Sequence, residues 1–334
     1  MKARAFWTVA PGRGELREEV LSPPGSGEVL VRSLASGISR GTERLVFHGH
    51  VPESQWAQMR APLQAGDFPF PVKYGYAAVG LVEDGADELR GRRIFCLHPH
   101  QDRFVALARF CRPVPDAVPD HRAVLAANLE TAVNILWDAG PLPGERALVI
   151  GAGVVGLLCA YLLARIPGMA VTVADTDPAR RAVAEAFGAR FAAPDAMPAE
   201  QELIIHASAS PAGLQAALRH AAFEARIVEA SWFGDRPVSL PLGEAFHARR
   251  LRLISSQVGT IATPMRGRRG YAERMDLALS LLADPLLDAL TGPAIPFADL
   301  PARMPAILDA PPGGHSPLCP VVTYPGAAAA SPEN

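Results

Sequence analysis

Ala147-Leu148-Val149-Ile150-Gly151-Ala152-Gly153-Val154-Val155-Gly156 is the stretch on which the fold turns. A β-branched apolar run meets a Gly-x-Gly-x-x-Gly turn, and the turn opens an apolar helix read from Leu157 to Ala164. A second strand, Val171-Thr172-Val173-Ala174, ends on Asp175, nineteen residues past Gly156. Three spaced glycines alone are a weak signal. Strand, turn, helix and a second strand closed by an acid supply the context they need.

The chemistry of that arrangement is a backbone chemistry. Gly151 permits the tight turn, Gly153 lets the main chain approach a pyrophosphate, and Gly156 lets helix and strand close on each other. Val154 and Val155 bring free N–H groups and the positive end of the helix dipole. Asp175 is placed to accept hydrogen bonds from the two ribose hydroxyls of an adenosine, and its charge opposes a 2′-phosphate. NAD(H) is therefore favoured; Arg180 and Arg181, just beyond, keep NADP(H) possible.

The sequence that follows extends the same sheet. Asp177 reads as an N-cap with Pro178 at the first helical position, and Gly188 stops that helix. Leu203 to Ala207, Ala225 to Glu229 and Leu251 to Ser255 read as strands, with a helix from about Pro211. Strands alternating with helices predict an α/β fold with a doubly wound parallel sheet, whose ligands lie beyond the carboxyl ends of the strands. Ala207, Ser208, Ser231, Gln257 and Val258 stand at those ends and are expected to line the cofactor; Trp232 is a candidate substrate wall or core residue.

Residues 1 to about 120 have another texture, with short β-rich runs such as Glu28 to Arg32 and Val79 to Glu83 broken by Gly and Pro. An apolar helix from Leu125 to Trp137 leads out of them, and a helix from about Tyr271 to Leu282 follows the sheet. Pro320-Val321-Val322-Thr323-Tyr324 reads as a strand returning to the first domain. At 334 residues and 49% hydrophobic, the chain has material for two cores. A formal charge of −2 supplies no basic field for nucleic acid. No run of eighteen apolar residues and no charged-then-apolar leader occurs, so no membrane partner and a cytoplasmic location are expected. Cys96, Cys111, Cys159 and Cys319 are scattered in a way that suggests neither a disulfide framework nor a zinc knuckle.

Together, the β-rich N-terminal region, the helix with Thr131 near its middle, the central glycine motif and the C-terminal return resemble the medium-chain dehydrogenase/reductase superfamily, the zinc alcohol dehydrogenase fold. Ser36 to Leu45 is similar to the matching segment of the bacteriochlorophyllide hydroxyethyl dehydrogenases. The resemblance implies a GroES-like catalytic domain over residues 1–124, a Rossmann domain over 125–263, and a return over 264–325 that completes the catalytic domain. Residues 326–334 are expected to be a disordered tail. It further implies Thr131 at the cofactor, hydride transfer in an interdomain cleft, a small-molecule substrate and a homodimer.

Zinc-dependent relatives carry a cysteine where this chain has Ser39, a His-Glu pair where it has Tyr76-Ala77, and a cysteine or acid near Ala127. A serine and a phenol do not replace thiolate and imidazole, so neither catalytic nor structural zinc is expected. Without metal, some side chain must polarise the carbonyl and move a proton. Thr42, Tyr76, His48 and His100 are the candidates, with Tyr76 or the histidines otherwise serving structure. Glu43, Asn128 and Glu130 are candidate substrate contacts. The resulting expectation is a zinc-independent NAD(H)-dependent alcohol dehydrogenase or carbonyl reductase. Double-bond reduction of the quinone and enoyl reductase kind, or a non-catalytic dinucleotide-binding protein, are the alternatives.

Overall fold

A computed structural model describes residues 1–310 and 318–326. From the N-terminus the elements are β1 (Lys2–Ala10), β2 (Arg13–Val20), β3 (Glu28–Gly37), α1 (Arg40–His48), β4 (Ala65–Gly66) and β5 (Val72–Lys73). Next come β6 (Ala78–Gly85), β7 (Arg93–Cys96), β8 (Arg103–Leu107), β9 (Cys111–Pro113), α2 (Asp120–Ala123) and α3 (Ala126–Ala139). Helices and strands then alternate: β10 (Arg146–Ile150), α4 (Val154–Leu163), β11 (Ala170–Ala174), α5 (Arg181–Ala186), β12 (Arg190–Ala192), β13 (Gln201–His206), α6 (Pro211–His220) and β14 (Ala221–Glu229). The chain closes with β15 (Arg252–Ser255), α7 (Tyr271–Leu281), β16 (Thr291–Pro296), α8 (Leu300–Leu308) and β17 (Cys319–Thr323).

The chain forms two compact units. The first, residues 1–127, 279–310 and 319–326, is built on two sheets, ordered β2-β1-β5-β4 and β16-β17-β3-β6-β7-β9, with β8 also paired to β3. The expected C-terminal return is β17, which runs antiparallel to β3 and parallel to β16. Its Val322 joins Phe6, Ile38, Phe47, Phe297 and Leu300 in one core, while Val29, Val31, Ile94 and Phe104 fill another. The sequence reading had not anticipated β16, α8 or the β1–β2 hairpin; Gly and Pro interrupt β16, and β2 alternates charged residues with no continuous apolar run.

The second unit, residues 128–278, holds one parallel sheet ordered β12-β11-β10-β13-β14-β15. Each pair of neighbouring strands in it is parallel, as the alternation of strands and helices requires. Its central strands are buried on both faces; Leu148, Ile204 and Ile227 are sealed in a core completed by Leu214 and Leu218 of α6. Asp177 caps as expected, its carboxylate accepting from Ala179 N–H at 3.0 Å, and Ser210 caps α6 through Gly213 N–H at 3.3 Å. These observations bear out an α/β fold with GroES-like β sheets and a Rossmann sheet. Among the described residues no helix is long and apolar enough to cross a membrane. The expected tail falls almost wholly outside the described residues.

Candidate functional site

The glycine turn follows directly from the end of β10. Gly151 has φ +106°, and a Cβ there would stand 2.8 Å from the backbone nitrogen of Ser208, so both conformation and crowding require glycine. At Gly156 a Cβ would fall 1.9 Å from the Gly151 carbonyl oxygen, because α4 is pressed onto the turn. Gly153 is the residue before α4 and has open space around its Cβ position. Half-buried Val154 and Val155 begin the helix, so its N-terminal N–H groups border that space. This cradle fits a dinucleotide pyrophosphate: backbone donors, a helix N-terminus, and no side chain in the way.

Asp175, half-buried, is braced at the end of β11. Its Oδ2 accepts from Ala152 N–H at 2.5 Å and its Oδ1 from Asp177 N–H at 2.8 Å. The carboxylate is thereby tied to the glycine turn it was expected to serve. Arg180 stands near it in sequence, but its guanidinium is drawn inward to buried Asp177 at 3.1 Å, and Arg181 lies over the Phe191 ring. Neither arginine is presented as a dedicated phosphate clamp.

Ala207, Ser208 and Ser231 close β13 and β14 as anticipated, with Ser208 exposed. Gln257 and Val258 follow β15; the Gln257 side chain accepts from Gly259 N–H at 2.7 Å, and the Val258 carbonyl accepts from Arg274 at 2.7 Å. Trp232 is half-buried beside Phe233, which packs against the sheet core. Thr131 is half-buried on α3 and Asn128 is buried at its start. Glu130 also lies on α3. It is buried in an ion pair with Arg274, 3.0 Å away.

In the first unit, Ser39 precedes α1 and Thr42 sits in its first turn. Both hydroxyls hydrogen-bond the Tyr76 side chain. All three residues are half-buried. Burial, reinforced by the Glu43 charge and opposed by the two hydroxyls, raises the Tyr76 phenol above its ordinary range. It is thus kept as a proton-bearing donor.

Behind this cluster runs a buried chain of polar groups. Glu43 Oε1 accepts from Ser39 N–H at 2.7 Å and Oε2 faces His100 Nε2 at 3.0 Å. His100 Nδ1 lies 2.7 Å from Ser36 Oγ, which lies 2.8 Å from the Tyr324 hydroxyl. Gly75, at φ +129°, passes so close that a Cβ would meet the His100 ring at 3.1 Å. His100 and Glu43 are almost completely buried and stand behind the hydroxyl cluster. The structure does not bring His48 to this cluster: it lies at the far end of α1, about 9 Å along the axis from Thr42, and bonds Asp309 at 2.8 Å. Among the described residues, no three of His, Cys, Asp and Glu come together as a metal-binding group.

Ser36, Tyr324 and Arg274 escaped the sequence reading. Ser36 meets Tyr324 across 288 positions and Arg274 meets Glu130 across 144, so no local spacing announces either contact.

The chain thus combines a GroES-like β unit with a parallel Rossmann sheet that carries the glycine cradle. Sequence likeness agrees: the chain is 29% identical over 223 residues to sorbitol dehydrogenase of Bos taurus, covering 55% of this chain and 58% of that one. It is 28% identical over 217 residues to 2-desacetyl-2-hydroxyethyl bacteriochlorophyllide A dehydrogenase of Rhodobacter capsulatus, covering 58% and 62%. The chain thus spans less than two thirds of the length of these curated relatives. A structure described as a short chain alcohol dehydrogenase of E. coli CFT073, complexed with NADH, superposes with a TM-score of 0.78 at 19% identity, covering 97% of this chain and 99% of that one. No family model matches the chain. The fold is the one seen in medium-chain dehydrogenases and reductases.

Proposed function

We propose that this protein is an NAD(H)-dependent oxidoreductase that interconverts an alcohol and a carbonyl compound without a metal. The observation that carries the reading is the glycine cradle, in which Gly151 and Gly156 have no room for a side chain and Asp175 is bound to the same turn. Gly151, Gly153 and Gly156 with the start of α4 would hold the pyrophosphate, and Asp175 the adenosine ribose. The inward pairing of Arg180 favours NAD(H) over NADP(H). When bound, the nicotinamide supplies or accepts the hydride.

Zinc does not fit the residues present. Ser39, Tyr76 and Ala77 occupy the positions where the resemblance puts zinc ligands, and a phenol held above its ordinary range does not surrender its proton to become a ligand. The Glu43 carboxylate is already engaged by Ser39 N–H and His100. Tyr76 instead donates its proton to the oxygen of the carbonyl as negative charge develops there, with Thr42 and Ser39 orienting the phenol. Glu43, held by His100, fixes the Ser39 backbone and so the start of α1. The solvent-facing edge strand β15 is where a homodimer, expected from the superfamily, finds a surface on which to pair.

Titration of the purified protein with NADH and NADPH, followed by nicotinamide fluorescence, tests this reading. Tight NADH binding that Asp175→Ala weakens far more than NADPH binding is the expected result. Equal loss for both cofactors would remove the ribose contact, and binding of neither would remove the function.

A further inference from the structure

The glycine turn leaves unexplained a line of hydrogen bonds at the carboxyl ends of β13 and β14. His206 is fully buried; its Nδ1 lies 2.7 Å from Glu229 Oε2, and its Nε2 lies 2.7 Å from Ser208 Oγ. His206 and Glu229 are register partners across the parallel pair of strands. A carboxylate only accepts, so the ring carries a proton on Nδ1. In the neutral form of the ring, Nε2 is then the acceptor and draws the Ser208 hydroxyl hydrogen inward. The N–H of Ser210 donates to the same Oγ at 3.2 Å. One lone pair of Oγ is left, on an exposed residue.

The surroundings are shaped around this line. At Gly213 a Cβ would stand 2.7 Å from Ser208 Oγ and 2.8 Å from His206 Nε2, so the missing side chain makes room for both. Phe233 covers the imidazole, with ring centroids 6.1 Å apart and planes 18° from parallel. Glu229 Oε1 accepts from Ser231 N–H at 2.7 Å, and Ser231 Oγ accepts from Ala209 N–H at 2.9 Å, holding Ala209 at φ +51°. Ser208 itself lies against the first glycine of the turn.

We infer that Glu229 and His206 are positioning residues that hold Ser208 Oγ as a hydrogen-bond acceptor for a hydrogen-donating group of the dinucleotide, a ribose hydroxyl or a base amino group. The inference rests on the dinucleotide reading and deepens it. An oxygen whose own hydrogen is turned inward repels a phosphate oxygen and welcomes a hydroxyl, so the relay selects the sugar or base over the pyrophosphate.

Calorimetric titration of the full chain with NADH, AMP and reduced nicotinamide mononucleotide tests it, in the parent and in Ser208→Ala, Glu229→Gln and the double variant. Ser208→Ala should weaken NADH by about 3- to 10-fold, the share of one neutral hydrogen bond. Glu229→Gln lets the ring proton move to Nε2, which turns the hydroxyl hydrogen outward, and should lose a similar factor. The double variant should bind no more weakly than Ser208→Ala, a coupling that simple loosening of the fold does not produce. Ser208→Thr keeps the hydroxyl and should retain parental binding, and circular-dichroism melting verifies that each variant is folded. Loss in the AMP arm assigns the contact to adenosine; loss in the mononucleotide arm assigns it to the nicotinamide half. Additive losses, or unchanged binding in Ser208→Ala, overturn the relay while leaving dinucleotide binding intact. A parent chain that binds no dinucleotide overturns both.

Discussion

His98 is buried with its ring stacked on Phe104, centroids 3.8 Å apart, and its Nδ1 lies 2.9 Å from the Pro99 carbonyl oxygen. Burial pushes the imidazole down from 6.5 to about 3. Above pH 6.5 the ring is neutral in folded and unfolded chains alike. As pH falls below that value the unfolded chain takes up a proton that the folded chain refuses, so stability declines until about pH 3, by up to about 1.4 kcal/mol per pH unit. Urea unfolding at pH 6 and pH 4 should show a shallower acid limb in His98→Phe, which keeps the stack and removes the titration. Burial likewise favours the neutral form of Tyr76, whose phenol is kept protonated. Tyr76→Phe should lower kcat for carbonyl reduction by about a hundredfold with little change in KM, since a proton donor acts mainly in the transition state.

Among the elements, α3 and α7 are joined by one buried ion pair. Arg274 of α7 donates to Glu130 at 3.0 Å, to Asn134 Oδ1 at 2.6 Å and to the Val258 carbonyl at 2.7 Å, and Asn134 Oδ1 also accepts from Ala262 N–H at 3.0 Å. The loop after β15 is therefore fastened to both helices through side chains that water does not reach. Glu130→Ala would strand a buried guanidinium and should cost about 3–5 kcal/mol in chemical denaturation. Adding Arg274→Met should recover part of that loss, because the unpaired charge disappears with it. Unchanged stability in the single variant would mean that Arg274 finds enough compensation in Asn134 and the carbonyls.

At the scale of the whole molecule, the absence of a metal from the proposed reaction has a direct consequence. Protein purified without chelator should contain well under one zinc per chain by mass spectrometry, and excess chelator should leave its activity unchanged. One zinc per chain with activity lost on chelation would refute the metal-free reading. Each of the two units carries part of the proposed chemistry: hydroxyl donors on the β-rich unit and the cofactor cradle on the parallel sheet.

What the sequence determined by itself was whatever is encoded by backbone demands and local period. Gly151, Gly156 and Asp175 could be read because a turn without room for Cβ and an acid ending the next strand leave their mark in residue identity and spacing. The parallel sheet and the β17 return could be read because apolar strands have a period that needs no partner to be seen. The tertiary structure alone decided the use of polar side chains. Glu43 and His100 form one buried pair and Glu130 and Arg274 another, with partners 57 and 144 positions apart that no local spacing announces. His206 shows both sides of this: its strand was legible, but its role depends on Glu229 reaching it from the neighbouring strand and on Gly213 leaving it space. A hydrogen bond needs a partner in three dimensions, and sequence spacing records only the partners that lie nearby along the chain.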